Sequence, residues 1–188
     1  MNSVMASIRP KHTADIKSGK KTLEIRKSIP KIQTPFKCYI YETMGPAEVP
    51  WLDEDGHHIF KGCGMVIGDF VCDMIFEIKV DFNVHDELPG NPVETWLTWE
   101  DAPEGYETTE ALEKAACLTI KEIDRYIGKA DRCYCWHISN LNIYSKPKEL
   151  SCFSSGSSVL VWKKDSDETR WSGMKRPPQS WCYVDEEE

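Results

Sequence analysis

Gly64-Met65-Val66-Ile67-Gly68-Asp69-Phe70-Val71-Cys72-Asp73-Met74-Ile75-Phe76-Glu77-Ile78 is the strongest strand signal in the chain. A strand of that length does not stay flat, and Gly64 and Gly68 offer places for a bulge or a bend, as the curvature of a small closed barrel requires. Upstream, Val4-Met5-Ala6-Ser7-Ile8 reads as a first strand. Pro10 suits the first turn of a helix over residues 11–18, which Gly19 can end in a left-handed conformation. Thr22-Leu23-Glu24-Ile25-Arg26 alternates as a strand does, and Phe36-Lys37-Cys38-Tyr39-Ile40-Tyr41 is an aromatic-rich strand, with a Pro-bounded loop between them. The turn formers of Met44 to Lys61 predict a surface excursion.

Downstream, Val93 to Trp99 is expected as a helical turn or an irregular lid. Thr119-Ile120-Lys121-Glu122 fits a capping box, and Ile120, Ile123 and Ile127 recur at helical spacing before Gly128. Arg132–Ile138, Ile143–Ser145, Val159–Trp162 and Ser180–Val184 are expected strands, and the Ser-rich stretch 151–158 a loop. Many strands with a few short helices predict an α+β fold built on a small mixed barrel with flanking helices, not a doubly wound sheet. The length of 188 residues suits one domain, with a core over about residues 3–150 and a C-terminal extension, 151–188, packing back on the barrel.

Composition narrows the function classes. At 40% hydrophobic and 29% charged, with no apolar run long enough to span a bilayer and no secretory signal, the chain is expected to be soluble and cytoplasmic. Its eight cysteines then stay reduced, and none form a CxxC pair, which disfavours zinc ribbons. The net charge of −8 argues against indiscriminate coating of nucleic acid. It is also segregated: residues 1–37 carry nine Lys or Arg against Asp15 and Glu24, a net +7, which leaves −15 for the remainder. From Asp81 to Glu113 there are ten acidic residues and no Lys or Arg, so one face can attract anions while the body repels them.

Within the basic third, Gly19-Lys20-Lys21-Thr22-Leu23-Glu24-Ile25-Arg26 is the most ordered polar cluster. Strand alternation points Thr22, Glu24 and Arg26 to one face and Leu23 and Ile25 to the core. A carboxylate then lies between a hydroxyl and a guanidinium, and Lys21 can fold over the same face to bring a second cation. The alternative is an edge strand with exposed ion pairs of small energetic value. Gly19-Lys20-Lys21-Thr22 is not a phosphate-binding loop, because the earlier glycine is Ala14 and the order is helix, loop, strand.

Gly19, Lys21, Glu24 and Arg26 match the Gly-x-Lys-x-x-Glu-x-Arg signature of the ASCH family, relatives of the PUA RNA-binding domains, which this chain resembles over residues 3 to 150. Ser7-Ile8-Arg9-Pro10-Lys11 resembles that family's opening strand and helix, and Val66-Ile67-Gly68-Asp69-Phe70 its barrel-closing strand. Trp136-His137-Ile138-Ser139-Asn140-Leu141 with Tyr144 and Pro147, and Pro177-Pro178-Gln179-Ser180-Trp181-Cys182-Tyr183, are similar to ASCH-like proteins of bacteria and their phages.

The resemblance implies a PUA-like fold and a cleft for RNA or nucleoside-like ligands beside the motif. The ligand-binding set expected there is Arg9, Lys20, Lys21, Thr22, Glu24, Arg26 and Trp136, with no metal and no cofactor. Trp136 is weighed both as a base-stacking ring and as a buried strand aromatic. Some small relatives hydrolyse acetylated cytidine with a lysine, a threonine and a glutamate. Lys21 matches that lysine, but the threonine position is Glu24, and Thr22 lies about 7 Å along the strand from it, so that nucleophile is missing.

Three readings follow. The first is a binding module for RNA or a modified nucleoside. The second is an amidohydrolase or nuclease-like enzyme with Glu24 as general base and Lys21 or Arg26 stabilising an oxyanion. The third is a phage-derived modulator that docks a protein partner through the acidic segment 81–113. Binding ranks ahead of catalysis because fold analogy alone is a weak warrant for chemistry. Cys133, Cys135 and His137 share a strand face but lack an evident fourth metal ligand, so core packing is preferred. His57-His58 is expected to be inert, and Trp171, Lys175, Arg176 and Trp181 to border the cleft.

Overall fold

A computed structural model of the chain describes residues 3–45, 61–82, 95–155 and 173–186. Ten strands and three α-helices are described: β1 (Ser3–Ile8), α1 (Pro10–Lys17), β2 (Leu23–Arg26), β3 (Phe36–Glu42), β4 (Val66–Cys72), β5 (Ile75–Phe82), β6 (Thr95–Thr98), α2 (Thr109–Ala116), α3 (Ile120–Ile127), β7 (Arg132–His137), β8 (Ser139–Lys148), β9 (Phe153–Ser155) and β10 (Trp181–Glu186). They build a six-stranded sheet in the order β8-β4-β3-β1-β10-β9 and a four-stranded sheet in the order β2-β7-β5-β6. Only the β1–β3 pair is parallel.

The run 64–78 bends where the sequence did not mark it. β4 belongs to the large sheet and β5 to the small one, so the chain changes sheet at Asp73-Met74. The second corner is Ile138, where β7 hands over to β8, and the two corners are bonded to each other. His137 N donates to Met74 O at 3.0 Å, Ser139 Oγ to Val71 O at 2.8 Å, and His137 Nδ1 lies 2.7 Å from Asp73 Oδ1. Gly68 has a different role: register shifts between Val66 and Gly68 against β8, and a Cβ there would meet Asn142 O at 2.4 Å. The glycine lets β8 approach closely.

Pro10 opens α1 at its first position, and Gly19 follows it with φ 73°. The capping box forms as expected, with Thr119 and Glu122 exchanging hydrogen bonds at the start of α3. Two expectations need correction. Thr95–Thr98, expected as helical turn or lid, is strand β6 on the edge of β5, in keeping with its threonines and tryptophan. Thr109–Ala116, read only as acidic chain, is α2, capped by Thr108 and ended by Cys117 in a left-handed conformation. The expected excursion over 46–60 with His57-His58, the strand 159–162, the loop residues 156–158 and Trp171 lie outside the described residues.

Side chains of the small sheet alternate between two layers. Leu23, Ile25, Cys133, Cys135, Phe76 and Ile78 pack against Leu112, Ala115 and Ala116 of α2 and Ile123 and Ile127 of α3. The other face meets the large sheet, where Trp136 and Ile138 join Val4, Ala6, Phe36, Cys38, Ile40 and Phe70. Cys133 and Cys135 are therefore core residues, on the face opposite Trp136. Among the described residues, no helix is long and apolar enough to cross a membrane.

Candidate functional site

Glu24 and Arg26 point from β2 into the space between the sheets, because Leu23 and Ile25 are committed to the helical layer. In the ladder Glu24 stands opposite Trp136, and Arg26 opposite Tyr134. Lys21 reaches the same place from the turn after α1. Its ammonium lies 3.5 Å from Glu24 Oε2 and donates at 2.6 Å to Ala116 O, at the C-terminal end of α2, where a cation is favoured. Arg26 Nη2 lies 2.9 Å from Glu24 Oε1. The three charges thus converge on one carboxylate, as strand alternation predicts. They are not on a wet face, however: Lys21, Glu24 and Arg26 are 2%, 7% and 5% exposed.

The guanidinium has structural duties. Arg26 Nη1 donates to Ser180 O at 3.0 Å and Ser180 Oγ at 3.3 Å, and Nη2 donates to Ser7 O at 2.9 Å. It ties the edge of the small sheet to β1 and to the residue before β10. With Glu24 added, every terminal N–H of the guanidinium faces a protein acceptor, and Nε alone is left without a partner.

Around Glu24 the electrostatics favour the ionised form. Burial by itself raises its pKa, but the cations of Arg26 and Lys21, with His12 beside them, outweigh that and hold it below its ordinary value. His12, in the first turn of α1, is a neighbour that sequence reasoning missed. Burial and then the Lys21 ammonium keep its imidazole less basic than usual, against the opposing pull of Glu24. No signal in the sequence marks it, since a lone histidine in a helix is common.

The remaining expected residues separate. Arg9 and Lys20 are exposed, and Thr22 is half-buried with its backbone bonded to Ala115 O and Ile138 N. Trp136 is fully buried. Phe36 meets its ring edge-on at 5.6 Å between centroids and Trp181 at 5.8 Å, so it is no stacking platform, and its Nε1 has no partner. A different aromatic is available at the surface. Tyr126 on α3 is 38% exposed, is electrostatically coupled to Arg26 and Glu24, and carries Lys27 Nζ 5.3 Å from its ring centre. It falls off the Ile120-Ile123-Ile127 stripe, which is how the sequence alone could have found it. Among the described residues, no group of three His, Cys, Asp or Glu is placed to hold a metal.

No family model matches the chain, and no curated protein matches it. Solved structures do. The ASCH protein of Zymomonas mobilis aligns over 96% of this chain and 86% of its own, with TM-score 0.51 and 16% identity. A tyrosine-to-phenylalanine variant of it aligns over 97% and 90%, with TM-score 0.51 and 16% identity. A serine-to-alanine variant aligns over 96% and 87%, with TM-score 0.51 and 15% identity. The chain therefore has the α+β, PUA-like fold of the ASCH domain.

Proposed function

We propose that this ASCH-fold chain binds RNA or a modified nucleoside at the Lys21-Glu24-Arg26 site. The observation that carries the reading is an ionised carboxylate kept between two buried cations. Such a cluster adds little to stability compared with apolar packing of the same volume, and buried titratable groups with perturbed ionisation gather at functional sites. Glu24 is the most accessible of the three, with 9% of its side chain exposed, and its carboxylate accepts from a ligand's amino group. Since Arg26 is committed to the protein, phosphates fall to exposed cations, Lys20, Lys27 and Arg9. Tyr126 supplies the aromatic face for a base.

Binding stands ahead of hydrolysis for a specific reason. A general base works best with a pKa near the operating pH, and Arg26 and Lys21 move Glu24 away from it. The test is fluorescence anisotropy with a short labelled single-stranded RNA across a salt series. The expected slope of log K against log salt is about −0.7 per phosphate contact. Lys20→Glu with Lys27→Glu should weaken binding and flatten the slope, and Tyr126→Ala should weaken it with the slope unchanged. No binding at low salt, or turnover of RNA or acetylated nucleosides abolished by Glu24→Gln, would overturn the reading in favour of none or of the enzyme.

A further inference from the structure

Three buried side-chain nitrogens among the described residues have no hydrogen-bond partner: His12 Nδ1, Arg26 Nε and Trp136 Nε1. Folded proteins satisfy nearly all buried polar atoms, so each orphan asks for an explanation. These three are not scattered. Arg26 is ion-paired to Glu24, Trp136 stands directly opposite Glu24 in the ladder, and His12 is electrostatically coupled to both Glu24 and Lys21. Arg26 and Trp136 are themselves 5% and 0% exposed, which leaves solvent little access to serve them. They come from α1, β2 and β7, which are far apart in sequence.

We propose that these nitrogens form a ligand-reading set around Glu24, and that His12, which lies outside the Gly19–Arg26 motif, determines its specificity. The proposal rests on the nucleoside- or RNA-binding reading and names which edge of the ligand is read. Arg26 Nε–H and Trp136 Nε1–H can only donate. The ligand must therefore present two acceptors, carbonyl oxygens or unprotonated ring nitrogens, on a planar, uncharged heterocycle. His12 differs from both, because a neutral imidazole nitrogen accepts in one tautomer and donates in the other. It sets which third group the edge must carry. Trp136 thus takes part through its N–H, with its ring held by Phe36 and Trp181.

The imidazole is read in its neutral form. It faces Lys11 and Asp15 on its own helix, Lys21 and Glu24 at the start of β2, and Glu122 on α3. A proton on it would add a third cation to the pair already flanking Glu24, and would remove the accepting tautomer.

The test is calorimetric titration of the full chain with the four ribonucleosides, for wild type, His12→Phe and His12→Asn, alongside the RNA salt series. His12→Phe keeps a ring of similar size and removes the nitrogens; His12→Asn restores a group that both donates and accepts. The expected result is roughly tenfold weaker nucleoside binding for His12→Phe, the equivalent of one hydrogen bond at the upper end of its usual value. His12→Asn should regain part of that and reorder the preference among the nucleosides, and the RNA salt slope should be unchanged in both. Trp136→Phe should lower affinity for every nucleoside alike. If RNA binds through Lys20 and Lys27 while the His12 variants leave nucleoside affinities and their order untouched, the nitrogens serve water only and the inference falls alone. If neither RNA nor any nucleoside binds, the proposed function falls with it.

Discussion

Replacing Arg26 with methionine separates an anchor from a ligand-binding cation. In the folded chain the guanidinium bonds Ser180 O at 3.0 Å, Ser7 O at 2.9 Å and Glu24 Oε1 at 2.9 Å, and it is 5% exposed. Methionine fills most of the same volume and supplies none of these donors. Glu24 is left buried with Lys21 at 3.5 Å, and two carbonyls lose their donor. Removing one partner of a buried ion pair costs about 3–5 kcal/mol. With a urea m-value of about 2 kcal/mol/M, the unfolding midpoint should fall by about 1.5–2.5 M. Urea denaturation followed by tryptophan fluorescence reads this directly. The double variant Glu24→Leu with Arg26→Met, which removes both charges, should recover much of the loss and give a coupling above about 2 kcal/mol in a double-mutant cycle. A loss below about 1 kcal/mol for Arg26→Met would mean the guanidinium is not holding the sheets together, and the division of labour between Arg26 and the exposed lysines would have to be abandoned.

Acid should destabilise the protein in two stages. An unfolded chain protonates His12 near 6.5, whereas the folded chain, with that value lowered, resists the proton; the unfolded state then holds more protons and stability falls as pH drops below 6.5. Glu24 follows the same sign from 4.5 downward, its folded value again being the lower one. His12→Phe should flatten the first stage of a melting-temperature profile and leave the second; an unchanged profile would refute the assignment. At the sheet junction, Gly68→Ala should cost about 1–3 kcal/mol, because the added Cβ meets Asn142 O at 2.4 Å and Ile143 Cα at 3.1 Å. A neutral effect in thermal unfolding would mean that β8 yields freely. By contrast Lys17→Ala, which removes an ion pair to Glu42 from a side chain 40% exposed, should change stability by no more than about 1 kcal/mol.

Local pattern sufficed wherever the physics is local. Pro10, Gly19 and the Thr119-Glu122 box place helix ends, because capping depends on residues a few positions apart. Alternation in Leu23-Glu24-Ile25-Arg26 sorted the strand into an apolar and a charged face, and the motif brought Lys21, Glu24 and Arg26 together on the page before it did so in space. What alternation leaves open is what each face meets. The helices α2 and α3 cover the apolar face and the large sheet covers the charged one, so a strand that reads as half-wet is buried on both sides. That decision belongs to strands and helices distant in sequence. The same holds for the corner at Asp73-Met74, fixed by the partner corner at Ile138 and not by a glycine, and for His12 and Trp136, whose unpartnered nitrogens acquire meaning only because chain packing surrounds Glu24 with them.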